Sequence, residues 1–463
     1  MIDRMYKDSF TNVKPNFDQF NQNQAAWWIP MVSFPSLLLI MIWLSVNTGP
    51  WVFKSTPTSL LDWLHYFRTF FPWVVLFIAY IVMAERGSFN TEAISGPVKL
   101  WLIYGIISLG ICINSPKPLD AAYWAINYLA VFAAVALYLK GENHLARAVQ
   151  LNHLSWCITT LFLIILVLVA RDALFVDYRF SWITGYGIIH RMDAVVNVTM
   201  SRSSGMARFA AVPGIVSFVF LLTGFSWKRI LWFIPFVLSA VLIWFMQSRG
   251  AILGFAFSMA FTMLFLGSRS RFFGLIGLIL VGSLYFTDLI PARAAKYIKK
   301  HFYRGQSREE LMNLTCRTRA WKKAWRQIAK IPILCRGPQS VRYFFKEHVH
   351  ISNLYALLQA GVVGAAVFVG GLVWAWVLFF RAILRKTADQ IGQRAILIQT
   401  GGILAFFTVR SIPEVCGAMF GVDLLVMLPA LAYLTLLDRQ SSILAKDTNK
   451  HKRFYHSDRP VIT

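Results

Sequence analysis

Residues 353–380 read NLYALLQAGVVGAAVFVGGLVWAWVLFF, a long apolar run without a charged side chain. About 20 apolar residues are enough for a helix to cross the hydrocarbon core of a bilayer. The run therefore predicts a membrane-spanning helix. Charged residues flank the run on both sides. A long basic loop precedes it, and Arg381, Arg385 and Lys386 follow it.

The rest of the chain repeats this pattern. Of its 463 residues 57% are hydrophobic and 14% are charged, whereas soluble domains carry about 25% charged residues. We expect an all-α polytopic membrane protein with one transmembrane domain, 27–437, between a cytoplasmic segment, 1–26, and a cytoplasmic tail, 438–463. About twelve spans are predicted, near 27–48, 67–84, 97–114, 120–139, 153–172, 206–225, 229–247, 250–267, 272–290, 353–380, 394–411 and 419–437.

The lysines and arginines of the short loops predict the orientation, because cytoplasmic loops are enriched in both residues. With the N-terminus inside, every inner loop is basic, whereas the short outer loops hold few such residues. Both termini are then cytoplasmic, and the loop 291–352 between helices nine and ten lies outside. The inner loops contribute Arg86, Lys140, Arg147, Lys228, Arg229, Arg269, Arg271, Arg381, Arg385, Lys386 and Arg394.

The loop 291–352 holds 15 lysines and arginines against three glutamates, in a chain of net charge +25. Long loops are translocated largely regardless of charge, so the charge of this loop does not contradict an outside location. Topology does not explain the charge, however, and it needs another reason. Two readings stay open: contact with anionic lipid headgroups, or binding of a phosphorylated or otherwise anionic substrate. Nucleic acid is not an expected partner, since topology explains much of the charge in the short loops.

Within this loop, residues 317–333 predict an amphipathic helix that lies on the membrane surface or roofs a cavity. Cys316 and Cys335 flank it, and an outside location leaves either a disulfide or two unpaired thiols. The apolar positions of the helix recur at helical spacing between basic residues and are Trp321, Ala324, Trp325 and Ile328.

Arg202, Arg249 and His350 lie at the outer ends of predicted spans, and each has an ordinary reading. On the structural interpretation, Arg202 is an ordinary charge of a loop, Arg249 is an arginine at a helix end whose side chain extends to the membrane surface, and His350 is a histidine at the membrane interface. His348 is a nearby alternative to His350 for the functional role. The functional reading is that two arginines clamp a diphosphate while the histidine takes a proton from an attacking hydroxyl. The outer carboxylates are scattered, so we expect no metal site.

Four segments of the chain form a motif pattern, and they are Arg202-Ser-Ser-Gly205, Ser248-Arg249-Gly250-Ala251, Arg317-x-x-x-Trp321 with Ile331-Pro-Ile-Leu-Cys-Arg-Gly337, and His350-Ile-Ser-Asn-Leu-Tyr-Ala-Leu-Leu-Gln-Ala-Gly361-Val-Val-Gly364. In their order and spacing, and with the large loop between helices nine and ten, they resemble the O-antigen ligase and Wzy-type polymerase superfamily of bacterial envelope membrane proteins. Ile351, Cys335 and Arg336 depart from the pattern of that family, which usually has Asn after the histidine and a glycine pair in the loop.

The resemblance implies a GT-C-like helical fold and transfer of a glycan from undecaprenyl diphosphate to an acceptor hydroxyl, without metal or another cofactor. Arg202 and Arg249 would bind the diphosphate, and His350 would activate the acceptor hydroxyl. The implied partners are a lipid-linked glycan donor, a glycan or lipid acceptor and membrane lipids. The implied location is the bacterial inner membrane, with the site facing the periplasm. Secondary candidates are Arg208, Arg317, His348, Arg410 and Glu414.

Three functions remain open from the sequence. A ligase attaches a finished chain to an acceptor, whereas a polymerase joins repeat units, and both use the same kind of donor. The strongly basic loop favours a ligase slightly, since it suits a phosphorylated acceptor. A transporter of an anionic glycolipid would show internal repeats and helices broken at the membrane midplane. We find no convincing repeat, and the candidate charges cluster at one face.

Overall fold

The structure is a computed structural model, and its described residues form helices, turns and loops, with no β-strand among them. This agrees with the predicted all-α fold class. The described residues are 33–46, 56–58, 60–86, 94–140, 143–169, 203–223, 228–246, 248–283, 317–331, 333, 335–345, 349–390 and 392–457.

The α-helices of the described ranges are numbered α1 to α16 in chain order, and two 3₁₀ turns, Arg68–Phe70 and Cys112–Asn114, accompany them. The helices are α1 Phe34–Leu44, α2 Leu60–Phe67, α3 Phe71–Arg86, α4 Gly96–Ile111, α5 Pro118–Tyr138, α6 His144–Val169, α7 Ser203–Thr223, α8 Lys228–Phe245, α9 Arg249–Met263, α10 Ser268–Ser283, α11 Arg317–Ile328, α12 Ser340–Phe345, α13 Ser352–Leu384, α14 Thr387–Gln390, α15 Arg394–Arg410 and α16 Val422–Ser457.

Each predicted span overlaps one of these helices, and the last helix continues past the predicted end at 437 to Ser457. The chain is thus a polytopic helical membrane protein, while the number of twelve crossings, the GT-C likeness and the orientation stay predictions. Six helical stretches are long and apolar enough to cross a membrane: Asp62–Glu85, Gly96–Asn114, Pro118–Tyr138, His144–Leu168, Gly205–Thr223 and Ser352–Leu384. The shorter apolar helices are Phe34–Leu44, Ile230–Trp244, Arg249–Met263 and Ser270–Leu280.

The helix α15 and the first half of α16 form the centre of the bundle. All residues of 397–407 and of 422–437 are buried. A helix surrounded by other helices is apolar on every face, because no side of it meets water. The helices α7 and α9 pack on α15, and α6 and α13 pack on α16. These two central helices therefore help to fix the positions of the helices that pack on them.

The helix α4 ties α13 to the segment that joins α15 to α16. The Trp101 ring stacks on the Phe368 ring with centroids 5.0 Å apart, and its Nε1 donates to the Phe368 carbonyl at 3.0 Å. One turn later, the hydroxyl of Tyr104 donates to the carbonyl of Ala418 at 2.8 Å. Both tryptophan and tyrosine thus bury a large ring and satisfy their polar atom.

The helix α13 is broken near its start by Gly361, whose φ is 66° and ψ −174°. Backbone in this region is open essentially to glycine alone. The break releases the carbonyl of Leu358 from the helical pattern, and this carbonyl accepts a hydrogen bond from the backbone N–H of Arg336 at 3.2 Å. The described end of the loop 291–352 is therefore hydrogen-bonded into the kink, which gives the glycine of the His350–Gly364 motif a structural reason.

Within the predicted amphipathic helix 317–333, the structure has the helix α11, which ends at Ile328. It packs on α13, and the indole Nε1 of Trp321 donates to the carbonyl of Val349 at 2.7 Å. Of the four apolar positions, Trp325 is 57% exposed, whereas Ala324 and Ile328 are buried together with Ala320. The small side chains of the two alanines let this side of the helix approach its neighbours closely.

The residue Cys335 is a buried free thiol, and burial raises the pKa of this thiol above its usual value. It therefore stays protonated near neutral pH. Cys316, the other cysteine for which a disulfide or an unpaired thiol was left open, lies outside the described residues.

Basic residues that the sequence analysis assigned to inner loops lie together at the end of the bundle that is distant from His350. Arg381 and Arg385 lie 3.5 and 3.6 Å from one carboxylate oxygen of Asp438. Arg394 contacts Asp389 at 3.1 Å and donates to the carbonyl of Phe265 at 2.8 Å. The C-terminal ends of α9 and α13, the start of α15 and the middle of α16 thus lie away from His350.

We expect Gly361→Ala to lower the thermal midpoint of the purified protein in detergent, because alanine is strained in this backbone conformation by about 1–3 kcal/mol. Gly370→Ala is the matched control on the same helix. A Cβ at Gly370 would meet only ordinary contact, Leu100 at 3.9 Å. Equal midpoints for the two variants would contradict the assigned conformation.

Candidate active site

Several helix ends meet at one end of the bundle, around the segment 411–421 that joins α15 to α16. The backbone N–H of Ser352, at the start of α13, donates to the carbonyl of Ser411 at 3.1 Å. On α9, a Cβ added to Gly250 would lie 2.9 Å from Cγ of Pro413. Arg208 in the second turn of α7 reaches Asp423 at the start of α16. The segment thus brings together residues that are far apart in the sequence.

His350 stands directly before α13 in a left-handed backbone conformation, with φ of 55°. Its Nδ1 lies 3.3 Å from Oε2 of Glu414, and the two side chains are 27% and 22% exposed. A half-buried imidazole beside a half-buried carboxylate can exchange a proton with a bound molecule, because both groups are reachable and the ring has a fixed partner. This pair joins a primary and a secondary candidate of the sequence analysis.

The position of Glu414 is set by its backbone as well as by its side chain. Its N–H donates to the carbonyl of Arg410 at 3.0 Å, and its carbonyl accepts from the Ser352 hydroxyl at 3.1 Å. The same Ser352 oxygen accepts from the N–H of Cys416 at 2.7 Å. Ser352 therefore fastens the segment 411–421 to the start of α13, close to His350.

A buried carboxylate holds two of the secondary candidates. Asp423 accepts hydrogen bonds from Nη1 of Arg410 at 3.0 and 3.2 Å, and from Nη1 of Arg208 at 3.0 Å. The side chains of Arg410 and Asp423 are only 3% and 4% exposed, whereas Arg208 is 17% exposed. Because its charge is compensated inside the protein, Arg410 supports the site structurally, and Arg208 alone of the two retains a path toward a ligand.

Arg249 is the first residue of α9, next to the closely packed Gly250. The glycine is required there, because a side chain would collide with Pro413. The helix start adds its N-terminal dipole to the arginine charge, and both favour an anion. Through Pro413 and Glu414 the start of α9 is contiguous with His350, so Arg249 and His350 belong to the same end of the bundle.

Three candidates stay outside this geometry. Arg202 and His348 lie outside the described residues. Arg317 begins α11, and its side chain is not described. Their proposed roles therefore rest on the sequence. Among the described residues, no group of three histidine, cysteine or acidic side chains is arranged to hold a metal ion.

The sequence analysis missed Asp423, which holds Arg208 and Arg410 together. It lies at the start of the last predicted span, and this is a signal in itself. Ionisable side chains inside membrane segments are rare and usually pair with one another or mark a functional site. A carboxylate at this position indicates that a basic partner lies nearby. The sequence contains several candidate partners and does not show which of them pairs with Asp423.

The fold and the charged cluster define the class: a polytopic helical membrane protein whose ionisable groups are gathered at one end of the bundle. Residues 234–369 match a family model described as O-antigen ligase. The match confirms the predicted resemblance to the O-antigen ligase and Wzy-type polymerase superfamily, and it includes Arg249 and His350. It covers less than half of the chain. The searches of curated proteins and of solved structures find no match to the chain.

We expect Asp423→Asn to destabilise the protein strongly, because it removes the carboxylate charge to which the buried guanidinium of Arg410 is hydrogen-bonded. Breaking a buried pair in this way costs about 3–5 kcal/mol. The measurement is thermal unfolding of the purified protein in detergent.

The matched control is Asp389→Asn, which removes the carboxylate of a pair whose side chains are 48% and 34% exposed. Exposed pairs contribute about 0–1 kcal/mol, so its midpoint should stay close to that of the wild type. If Asp423→Asn and Asp389→Asn have the same thermal midpoint, Asp423 does not stabilise the protein by pairing with Arg410.

Proposed function

We propose that the protein is a glycosyltransferase of the O-antigen ligase type. It transfers an undecaprenyl-diphosphate-linked glycan to an acceptor hydroxyl at the outer leaflet of the bacterial inner membrane. One observation carries the proposal: the His350–Glu414 pair lies against the segment that also packs on the start of α9, where Arg249 is located. A proton acceptor and an anion-binding group thus occupy the same end of the bundle, inside the matched segment.

The two sides of the reaction would be divided between these groups. Arg249 and Arg202 bind the diphosphate, with Arg208 as an alternative to Arg202, and their charge stabilises the diphosphate as it leaves. The acceptor oxygen forms a bond to the anomeric carbon while the bond from that carbon to the diphosphate oxygen breaks. The leaving diphosphate takes the electron pair, and the acceptor proton passes to His350. This scheme uses side chains alone.

Two alternatives share part of this support. A Wzy-type polymerase would use the same donor and the same groups, with a growing chain as the other substrate. The basic loop favours the ligase, because a phosphorylated acceptor would meet the positive charges that include Lys322, Arg326 and Arg336. A transporter of an anionic glycolipid, from a different class, would need the arginines and would not need His350 as a base.

We expect Arg249→Ala and His350→Ala to abolish surface glycan in a host whose own gene is deleted. Arg249→Lys should restore only part of it, because an ammonium cannot make the bidentate contact of a guanidinium. Surface polysaccharide is read by gel, with membrane expression of each variant checked. Arg385→Ala, an exposed arginine at the opposite end of the bundle, is the control and should complement fully.

The accumulated lipid-linked material distinguishes the candidate functions. Full-length lipid-linked chains indicate a ligase, whereas single repeat units indicate a polymerase. Loss of surface glycan in the Arg249→Ala strain with normal glycan in the His350→Ala strain would favour the transporter, whereas normal glycan in both strains would overturn the enzyme proposal.

A further inference from the structure

We propose that Glu414 is a positioning residue that holds the imidazole of His350 in the orientation needed for proton transfer. This inference rests on the proposed function, and it assigns a role to a carboxylate that neither the sequence motifs nor the matched segment 234–369 contains. The acceptor proton would pass to Nε2 of His350, while Nδ1 faces Glu414.

The contact between Glu414 and His350 determines which ring nitrogen carries a proton and which one is able to accept a proton. Oε2 of Glu414 lies 3.3 Å from Nδ1 of His350. An ionised carboxylate accepts hydrogen bonds and donates none, so this contact favours the tautomer with the proton on Nδ1. Nε2 then carries the lone pair that takes the acceptor proton. The distance exceeds the 2.7–2.9 Å typical of charge-assisted hydrogen bonds, and catalytic hydrogen bonds of this kind commonly tighten when substrate binds.

The backbone gives His350 little freedom to orient itself in another way. The residue adopts φ of 55°, a left-handed conformation in which histidine is found more often than most residues. The chain on one side is fixed by the Val349 carbonyl, which accepts from Trp321, and on the other by Ser352, which begins α13. A residue clamped between two such contacts presents its ring along a defined direction.

Glu414 is fixed independently of the histidine. Its backbone is held by Arg410 and Ser352, and Pro413 precedes it against Gly250. The carboxylate is therefore placed beside the ring before any substrate arrives. Partners of this kind lose activity when removed because the group they orient is no longer in the productive geometry.

The carboxylate also has an electrostatic role in the step. When the acceptor proton reaches Nε2, the ring becomes a cation between Nδ1–H and the Glu414 oxygen, and the adjacent negative charge stabilises it. The same logic governs the carboxylate that orients a catalytic histidine in hydrolase triads. Unlike those carboxylates, Glu414 is 22% exposed, so we expect a smaller effect than in a fully buried triad.

The test measures glycan transfer by the purified full-length protein in detergent, with a lipid-diphosphate-linked glycan as donor. We expect Glu414→Gln to lower kcat by about 10–100-fold, the range seen for partners that orient a functional group. The donor KM should stay within about twofold, because the carboxylate does not contact the diphosphate. Glu414→Asp keeps the charge and should retain more activity than Glu414→Gln.

A double variant separates positioning from a general structural effect. The variant His350→Ala/Glu414→Gln should be no slower than His350→Ala, because the carboxylate acts only through the ring. Additive losses would overturn the inference, as would a Glu414→Gln enzyme with wild-type kcat, or one with a raised KM alone. Thermal midpoints equal to that of the wild type exclude misfolding, and Ser352→Ala offers a second route by loosening Glu414 without changing its charge.

The two proposals fail in different ways. Activity lost in His350→Ala but fully kept in Glu414→Gln would remove only the positioning role. Wild-type activity in His350→Ala would remove the proposed function, and with it the inference about Glu414.

Discussion

The arrangement of the site depends on the buried carboxylate of Asp423. It accepts hydrogen bonds from arginines on two other helices, α7 and α15, and joins both to α16. A buried charge is tolerated only when it is paired and hydrogen-bonded, so the three helices must approach at this point and in this orientation. The segment 411–421 begins and ends within this cluster, and its course is constrained at both ends.

The Asp423 cluster is connected to the candidate groups by a short chain of contacts. The backbone carbonyl of Arg410 accepts a hydrogen bond from the N–H of Glu414, and the carboxylate of Glu414 contacts His350. Pro413, one residue earlier, leaves room only for a glycine at the start of α9. A functional site needs its groups held by a rigid surrounding, and here rigidity comes from a buried ion pair and a hydroxyl clamp at Ser352.

The sequence predicted the parts of the structure that depend on composition along the chain. Apolar runs located the helices, and basic residues at Arg381, Arg385 and Arg394 marked loops that meet at one end of the bundle. It could not predict pairings across the fold, because Glu414 lies 64 residues from His350 and Asp423 lies 215 residues from Arg208. The sequence also left open which side of α11 faces the bundle, since only packing shows that Ala320 and Ala324 are buried while Trp325 is exposed.

Unusual backbone and buried charge coincide at this end of the bundle. His350 has a positive φ, Gly361 breaks α13 within its first turns, and Arg410 carries a full charge in the interior. Each of these features costs free energy, and natural proteins retain such costs mainly where function requires them. Among the described residues of the cluster, Arg208 and Arg410 pair with Asp423, and Arg249 begins α9 nearby, so that three arginines stand against the carboxylates of Glu414 and Asp423. An end of the bundle that is rigid, strained and positively charged is suited to hold an anion while a proton moves nearby.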